Sequence, residues 1–259
     1  MKDSLIVSKA ENVRKTLQEL GDPIKARFLS RFFKTAPGEY AEGDIFLGVT
    51  VPNQRKIAKQ HKTLPLKEIE ILLQSEIHEE RLTSLFILCE QFEKGDEKNR
   101  KTLHQFYLKH LKKVNNWDLV DLSARVLIGE FLLDKDRKIL YQLAKSKNLW
   151  EKRISVLSTY AFIRKGDFKD IINLSELLLN DKEDLIHKAV GWMLREVGNR
   201  DKKNEIAFLD RFADKMPRTM LRYSIEKFPD SLKKKYMASG KSSKPNPKRI
   251  DSFEKSKLP

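Results

Sequence analysis

Amphipathic helical patterns run along almost the whole chain, and this feature restricts the fold more than any other. Leucine, isoleucine, lysine and glutamate recur at the spacing of a 3.6-residue helix. The 259 residues include only 10 glycines and 9 prolines, which is few for a protein of many short strands and tight turns. The sequence therefore predicts an all-α protein.

The predicted helices are joined by short polar segments, which place neighbouring helices in antiparallel pairs. One long irregular segment, residues 35–52, interrupts the pattern and contains a short β-like run at Ile45–Val51. The predicted helices are Leu5–Leu20, Pro23–Lys34, a helix that begins at Pro52, and the ranges 65–75, 78–94, 98–113, 116–132, 136–147, 149–165, 168–179, 183–198, 201–214 and 217–228.

Four of these helices can be laid over one another as a repeat. Their sequences are ERLTSLFILCE, VDLSARVLIGE, KRISVLSTYAF and HKAVGWMLREV. In this register Arg81, Asp121, Arg153 and Lys188 coincide, with gaps of 40, 32 and 35 residues. This period predicts an α-solenoid of HEAT-like repeats, whose inner helices line a concave groove.

Five side chains come together if the repeat holds. Trp117 and Asp121 are one helical turn apart and share a face, and so do Lys188 and Trp192. Arg153 has the equivalent position on the helix between them. Three successive inner helices would then present one carboxylate, two indole rings and two cations on one surface.

Each of these residues also has an ordinary structural explanation. Tryptophans in helical proteins more often fill the core than bind a ligand. Asp121 can pair with Arg125 one turn later, and Arg153 can cap a neighbouring helix. The shared repeat register is what favours a functional site over these alternatives.

The charge of the chain points to a polyanionic partner. The 52 lysines and arginines exceed the 37 acidic residues by 15. Ser231–Pro259 holds nine basic and two acidic residues, so this end carries +7 and the rest of the chain carries +8. The alternative is a soluble protein from an organism whose proteins are generally basic.

We expect one repeat domain over residues 1–236 and a disordered basic tail over residues 237–259.

The predicted surface suits a nucleic acid on which positive charge develops. Its cations would bind phosphates, and its indole faces can pack against sugar. Cleavage of a glycosidic bond passes through an oxocarbenium-like state, which a nearby carboxylate stabilises.

At these residues the chain resembles the DNA alkylation repair proteins of the AlkD type. The resemblance extends from about Lys9 to Tyr236. Its marks are FFKTAPGEYAEGDIFLGVTVPNQRKIAK at 32–59, NNWDLVDLSA at 115–124, LWEKRISVLSTYAFIRKGDF at 149–168, DLIHKAVGWMLREVG at 184–198 and MPRTMLRYSIEKFP at 216–229.

The resemblance implies a monofunctional DNA glycosylase that releases purines alkylated at N3 or N7 from duplex DNA. The solenoid would hold the duplex in its basic groove and leave the lesion in or near the base stack. The family's site residues match Asp121, Trp117, Trp192 and Arg153. Asp121 would stabilise the sugar cation, the tryptophans would hold deoxyribose and backbone, and Arg153 would bind a phosphate. No metal or organic cofactor is implied.

Three further residues are expected to contact DNA. The repeat register adds Lys188 and Arg81. Phe32 falls where some relatives have a tyrosine, so the hydroxyl of that tyrosine is missing here. The irregular loop at residues 35–44 is longer than in some relatives.

The remaining features predict an intracellular protein, which we take to be a monomer. Cys89 is the only cysteine and lies in an apolar run, which suggests a reducing compartment and a buried thiol. No apolar run has the length typical of a signal peptide or of a membrane span, so we expect a cytoplasmic, nucleoid-associated protein. The five histidines are scattered without a metal-binding spacing. His187 is expected to be a packing or hydrogen-bonding residue.

Three functions are compatible with these observations. The first is the alkylpurine glycosylase. The second is a non-catalytic protein that binds damaged or branched DNA in the same groove. The third is a helical-repeat scaffold for proteins, which would bind DNA weakly even at low salt.

Overall fold

The structure, a computed structural model, describes residues 9–239 and is predominantly helical over this range. No strand forms within it; where the sequence predicted a β-like run, Ile45 makes a single bridge to Ile77. The helices are α1 (Ala10–Glu19), α2 (Pro23–Phe32), α3 (Val51–Gln60), α4 (Leu66–Leu73), α5 (His78–Lys94), α6 (Glu97–Lys109), α7 (Trp117–Ala124), α8 (Lys138–Ala144), α9 (Leu149–Ser158), α10 (Tyr160–Ile163), α11 (Lys169–Leu177), α12 (Asp184–Gly198), α13 (Lys202–Phe212), α14 (Arg218–Ser224) and α15 (Asp230–Ser239).

The helices pack in two rows, as the repeat predicted. In the inner row α5 packs on α7, α7 on α9, α9 on α12 and α12 on α14. Helices α4, α8, α11 and α13 form an outer row against α5, α9 and α12. The prediction of an all-α solenoid of helix pairs is confirmed. Arg81, Asp121, Arg153 and Lys188 lie on four successive helices of the inner row.

The hydrophobic core lies between the two rows. Leu85 on α5, Leu119 on α7, Ile154 on α9 and Val190 on α12 are all fully buried. Burying one such side chain contributes about 2 kcal/mol. The core therefore fixes the positions of the inner helices that carry the candidate site.

A π-helical segment, Arg125–Glu130, follows α7 and brings it against α9. Gly129 in this segment faces the end of α9, and a Cβ atom there would lie 2.2 Å from the carbonyl oxygen of Ser158. Only glycine permits this close approach. The approach keeps α7 and α9 side by side, with Asp121 and Arg153 facing each other.

The ends of the elements differ from the predictions in a few places. The predicted helix 149–165 is divided into α9 and α10, and the last turn of the predicted helix 217–228 is a 3₁₀ turn at Ile225–Lys227. Helix α15 continues to Ser239, so residues 237–239, predicted as tail, are helical. The rest of the predicted tail and the predicted start at Leu5 lie outside the described residues. Within residues 9–239, no helix has the length and apolar character needed to cross a membrane.

Glu205 on α13 is a buried carboxyl group. It is 2% exposed and lies against Gly198 at the end of α12. Its Oε1 atom has no hydrogen-bond partner among the described residues. Burial raises the pKa of Glu205 to about 8, against the opposing charges of Lys202 and Arg195. At neutral pH the folded protein therefore keeps the Glu205 carboxyl group protonated, whereas the same group is ionised in the unfolded chain.

We expect Glu205→Gln to remove a pH-dependent loss of stability. The contribution of Glu205 to the free energy of unfolding is complete below its unfolded pKa of 4.5 and is lost as the pH rises through about 8. The loss is on the order of 4 kcal/mol. Glutamine has the same shape and does not ionise. Urea unfolding at about pH 5, 7 and 9 measures the difference between the two proteins.

Glu176→Gln is the matched control, because Glu176 is an exposed glutamate on α11. This variant should keep the pH dependence of the wild-type protein. The assignment is wrong if Glu205→Gln loses stability between pH 5 and 9 as steeply as the wild type does.

Candidate active site

A cleft of about 640 Å³ opens on the inner face of the solenoid. Its walls come from α2, the loop of residues 33–45, α7, α9, α12 and α14. The lining includes Arg31, Phe32, Lys34, Tyr40, Trp117, Asp121, Leu149, Arg153, Glu183, Asp184, Leu185, Lys188, Trp192, Arg195 and Tyr223. The cleft therefore brings together the predicted residues Trp117, Asp121, Arg153, Lys188, Trp192 and Phe32. Arg81, which the repeat register also predicted, does not line it.

The centre of the cleft is an ion pair between Asp121 and Arg153. Arg153 Nε lies 2.8 Å from Asp121 Oδ1, and Nη2 lies 2.7 Å from Oδ2. The remaining nitrogen, Nη1, donates to the Leu185 carbonyl on α12 at 2.6 Å. The guanidinium thus joins α7, α9 and α12. Both oxygens of Asp121 accept N–H groups, which is the arrangement of an ionised carboxylate.

The environment of Asp121 combines two opposing effects. Burial raises the pKa of its carboxyl group above the ordinary value, and the charge of Arg153 acts against this rise. The Asp121 side chain keeps 19% of its surface exposed, whereas Arg153 keeps 6%. The exposed part of the carboxylate faces the cleft, so a cationic centre in the cleft can approach it.

Trp117 is fixed at the start of α7. The side chain of Asn116 caps the helix and accepts the Trp117 amide at 2.8 Å. One face of the indole stacks on Phe33, with centroids 5.1 Å apart and an interplanar angle of 8°. Phe32 meets the indole edge-on at 6.0 Å. The ring is half-buried, and it lines the cleft beside Asp121.

Trp192 lies on the other side of the cleft, on α12. It is half-buried and packs near Tyr160, with ring centroids 6.5 Å apart. The preceding residue, Gly191, is so close to α14 that a Cβ atom would lie 2.4 Å from the Met220 carbonyl oxygen. This tight helix contact sets the depth at which Trp192 stands in the cleft.

The charges that line the cleft are mainly positive. The cations are Arg31, Lys34, Arg153, Lys188 and Arg195, and the acids are Asp121, Glu183 and Asp184. Lys188 pairs with Asp184 at 3.1 Å and keeps 29% of its side-chain surface exposed. Arg195 pairs with Glu226. Phe32 is 47% exposed, which is unusual for phenylalanine.

The structure contradicts the prediction that Arg81 contacts DNA. Arg81 is 3% exposed, its Nη2 bonds Asp44 Oδ1 at 2.7 Å, and its Nη1 donates to the Ser75 carbonyl at 2.9 Å. The loop of residues 33–45 covers this part of α5, so the repeat position that faces the cleft on later helices is enclosed here. Arg81 anchors the loop instead.

A buried ionic network anchors the loop that forms one wall of the cleft. Sequence analysis did not predict this network. His78 bonds Asp44 at 3.1 Å and Asp118 at 2.8 Å, and Asn116 donates to Asp44 at 3.2 Å. Burial alone lowers the pKa of His78, but the charge and hydrogen bond of Asp118, together with Asp44, raise it to about 9. The imidazolium therefore ties the end of the loop to the first turn of α7, which carries Trp117.

Sequence analysis also missed nine residues of the cleft lining, among them Arg31, Lys34, Tyr40 and Arg195. Tyr40 belongs to the irregular segment, where no periodicity predicts which way a side chain points. Lys34 was predicted as the last residue of the helix Pro23–Lys34, but α2 ends at Phe32 and Lys34 lies in the loop. An aromatic residue in the one long irregular segment of a helical protein would have been the available signal.

His187 and Cys89 have structural surroundings rather than a place in the cleft. His187 Nε2 donates to the Asp181 carbonyl at 2.6 Å, in line with a hydrogen-bonding role. Cys89 is buried, and burial raises the pKa of its thiol far above the ordinary value. Among residues 9–239, no three histidine, cysteine or acidic side chains are grouped so that they could hold a metal ion.

A protein-family model described as DNA alkylation repair enzyme matches residues 13–228. The chain belongs to the DNA alkylation repair enzyme family. The match contains the whole cleft, from Arg31 to Tyr223. Membership of this family indicates an enzyme that takes part in the repair of alkylated DNA and therefore interacts with DNA.

A solved structure supports the fold of this DNA alkylation repair family member. It is described as a predicted DNA alkylation repair enzyme from Enterococcus faecalis, with a TM-score of 0.65 and 16% sequence identity. The alignment covers 81% of this chain and 97% of that chain. At this identity the likeness concerns the fold alone. The comparison with curated proteins found no match.

We expect His78→Gln to lower the free energy of unfolding at neutral pH. It should also remove a second pH-dependent contribution to that free energy, separate from the contribution of Glu205. Because the folded pKa is raised, the contribution of His78 is complete below 6.5 and is lost as the pH rises through about 9. The loss is on the order of 3 kcal/mol. Urea unfolding of the Glu205→Gln protein is compared with that of the Glu205→Gln, His78→Gln double variant between about pH 6 and 10. The difference in the free energy of unfolding is the contribution of His78.

His187→Gln in the same background is the control, since His187 lies outside the network. If both histidine variants show the same pH dependence as their parent, His78 is not the cationic anchor described here.

Proposed function

We propose that this protein is a DNA glycosylase that hydrolyses the N-glycosidic bond of purines alkylated at N3 or N7 in duplex DNA. The observation that carries the proposal is the Asp121 carboxylate, held by Arg153 in a cation-rich cleft between Trp117 and Trp192. Family membership supports the alkylated substrate. The protein would act as a monomer on DNA in the cytoplasm.

The proposed reaction uses the charge that alkylation creates on the base. As the bond between C1′ and the base nitrogen breaks, both electrons pass to the cationic base, which leaves neutral. The sugar becomes an oxocarbenium-like cation, and the Asp121 carboxylate stabilises it. Water then adds to C1′ and loses a proton, which leaves an abasic site. Each Asp121 oxygen keeps a second lone pair beside its bond to Arg153.

The cleft supplies the remaining contacts. The indole faces of Trp117 and Trp192 would pack against deoxyribose and the backbone on the two sides of the carboxylate. Arg153 and Lys188 would bind phosphates, and their contribution would decrease with salt. Arg81 has no part in this proposal, because it is buried under the loop.

A second function is favoured by one observation. Both oxygens of Asp121 already accept hydrogen bonds from Arg153, which lowers the negative charge available to a sugar cation. A protein that binds damaged or branched DNA without releasing a base would have the same cleft. Base release distinguishes the two functions, because both predict salt-dependent DNA binding.

We expect the wild-type protein to release the base from a duplex that carries one N7-methylguanine or N3-methyladenine faster than buffer does. Asp121→Asn should reduce this rate on the order of 100-fold, because it removes the stabilising charge. Binding to the same duplex should remain within a few-fold of wild type. Single-turnover kinetics and fluorescence anisotropy measure the two quantities.

Glu183→Gln is the matched control, because it removes another acidic charge from the cleft lining without touching Arg153. Its rate should stay close to wild type. No release by the wild-type protein would refute the proposed reaction, and unchanged release by Asp121→Asn would refute the role of the carboxylate.

We expect Arg153→Gln to shift the acid limb of the pH–rate profile to higher pH. Burial raises the pKa of Asp121 and Arg153 lowers it, so loss of the guanidinium leaves the rise unopposed. Lys188→Gln, which removes a cleft cation that does not contact Asp121, should weaken binding and leave the acid limb in place. Identical acid limbs in wild type and Arg153→Gln would contradict this coupling.

A further inference from the structure

The loop of residues 33–45 contains a lysine in an unusual backbone conformation. Lys34 has a φ of 56°, and among residues 9–239 it is the one non-glycine residue with positive φ. This left-handed conformation is unfavourable for lysine relative to glycine. It is held by the Ala41 amide, which donates to the Lys34 carbonyl at 3.3 Å. Lys34 directly follows the end of α2, where the Thr35 amide donates to the Ser30 carbonyl at 3.2 Å, so the same conformation ends the helix and begins the loop.

The conformation brings the Lys34 side chain to the cleft. Lys34 is exposed, and its ammonium lies 6.0 Å from the centroid of the Tyr40 ring. Within the described part of the chain, no carboxylate lies within ion-pair distance of Lys34. Its charge is therefore available to a ligand in the cleft, unlike that of Lys188 or Arg195.

Tyr40 stands next to Lys34 and contacts the site directly. The ring is half-buried and meets Trp150 edge-on at 5.9 Å. Its side chain lines the cleft together with Trp117. The Tyr40 hydroxyl carries a proton that it can donate to a ligand. No acceptor for this proton is present among residues 9–239. Burial raises the pKa of Tyr40, so the hydroxyl keeps its proton at neutral pH.

We propose that Lys34 and Tyr40 form a further DNA-phosphate contact on the loop wall of the cleft. Lys34 neutralises the phosphate, and the Tyr40 hydroxyl donates a hydrogen bond to one of its oxygens. The Tyr40 hydroxyl thus lies in the cleft although Phe32 has none. The inference rests on the proposed function in taking DNA as the ligand.

Binding to a duplex with a stable tetrahydrofuran abasic analogue tests the contact without requiring base release. We expect Lys34→Gly to weaken binding several-fold and to reduce the slope of log K against log salt by roughly 0.9, the value for one phosphate. Its melting temperature should equal or exceed that of wild type, because glycine accepts the left-handed conformation. Lys34→Arg should restore the slope.

Lys67→Ala is the matched control, because it removes an exposed lysine from α4, an outer helix away from the cleft. This variant should keep the wild-type slope. A Lys34→Gly slope equal to that of wild type overturns the phosphate contact. A lower melting temperature for Lys34→Gly together with full binding would assign Lys34 to stability and also overturn it.

The part of the Tyr40 hydroxyl in the contact is tested separately. Tyr40→Phe should weaken binding several-fold with an unchanged salt slope, since the hydroxyl is neutral. Tyr160→Phe, which removes a hydroxyl near Trp192, is the control and should bind as wild type. Binding by Tyr40→Phe that equals wild type overturns the part of Tyr40 in the contact.

These outcomes separate this inference from the proposed function. If the wild-type protein binds the duplex but releases no base, the reaction fails and the slope measurements still decide on Lys34. If it releases bases while Lys34→Gly and Tyr40→Phe bind normally, only the further contact fails. A wild-type protein that does not bind the duplex refutes both.

Discussion

The ion pair between Asp121 and Arg153 holds the centre of this protein together. One guanidinium bonds both oxygens of a carboxylate on α7 and a backbone carbonyl on α12, while it is itself carried by α9. Three successive repeats therefore meet at one nearly buried group. Replacing either partner by an apolar residue would leave a desolvated charge without compensation, which is far more unfavourable than losing a surface pair. The same pair that joins the repeats also sets the charge of the cleft.

A second ionic centre supports the cleft from the opposite side. Asp44 accepts hydrogen bonds from Arg81, His78 and Asn116, so the end of the 33–45 loop is fastened to α5 and to the start of α7. The loop can then present Lys34 and Tyr40 to the cleft without a regular secondary structure of its own. The site is thus formed by helices on one wall and by an anchored loop on the other.

The sequence predicted the helical wall well and the loop wall poorly, for a physical reason. Helical period places Asp121, Arg153 and Lys188 on one face whatever their neighbours are, so the repeat register was sufficient. The same register failed for Arg81, because a segment distant in sequence covers it. The contacts of Tyr40 and His78 depend on where the irregular segment folds back, and no periodic pattern encodes that. The resemblance to a family supplied the chemistry, which repeat geometry alone did not.

The stacking of Trp117 on Phe33 has a consequence for affinity. The indole is supported on one face by the parallel ring of Phe33 and contacted edge-on by Phe32. Such a ring has already lost its rotational freedom before any ligand arrives. Ordering a free aromatic side chain on association is entropically unfavourable, and this preorganised surface avoids most of that loss. More of the contact energy of the exposed face can then appear as binding.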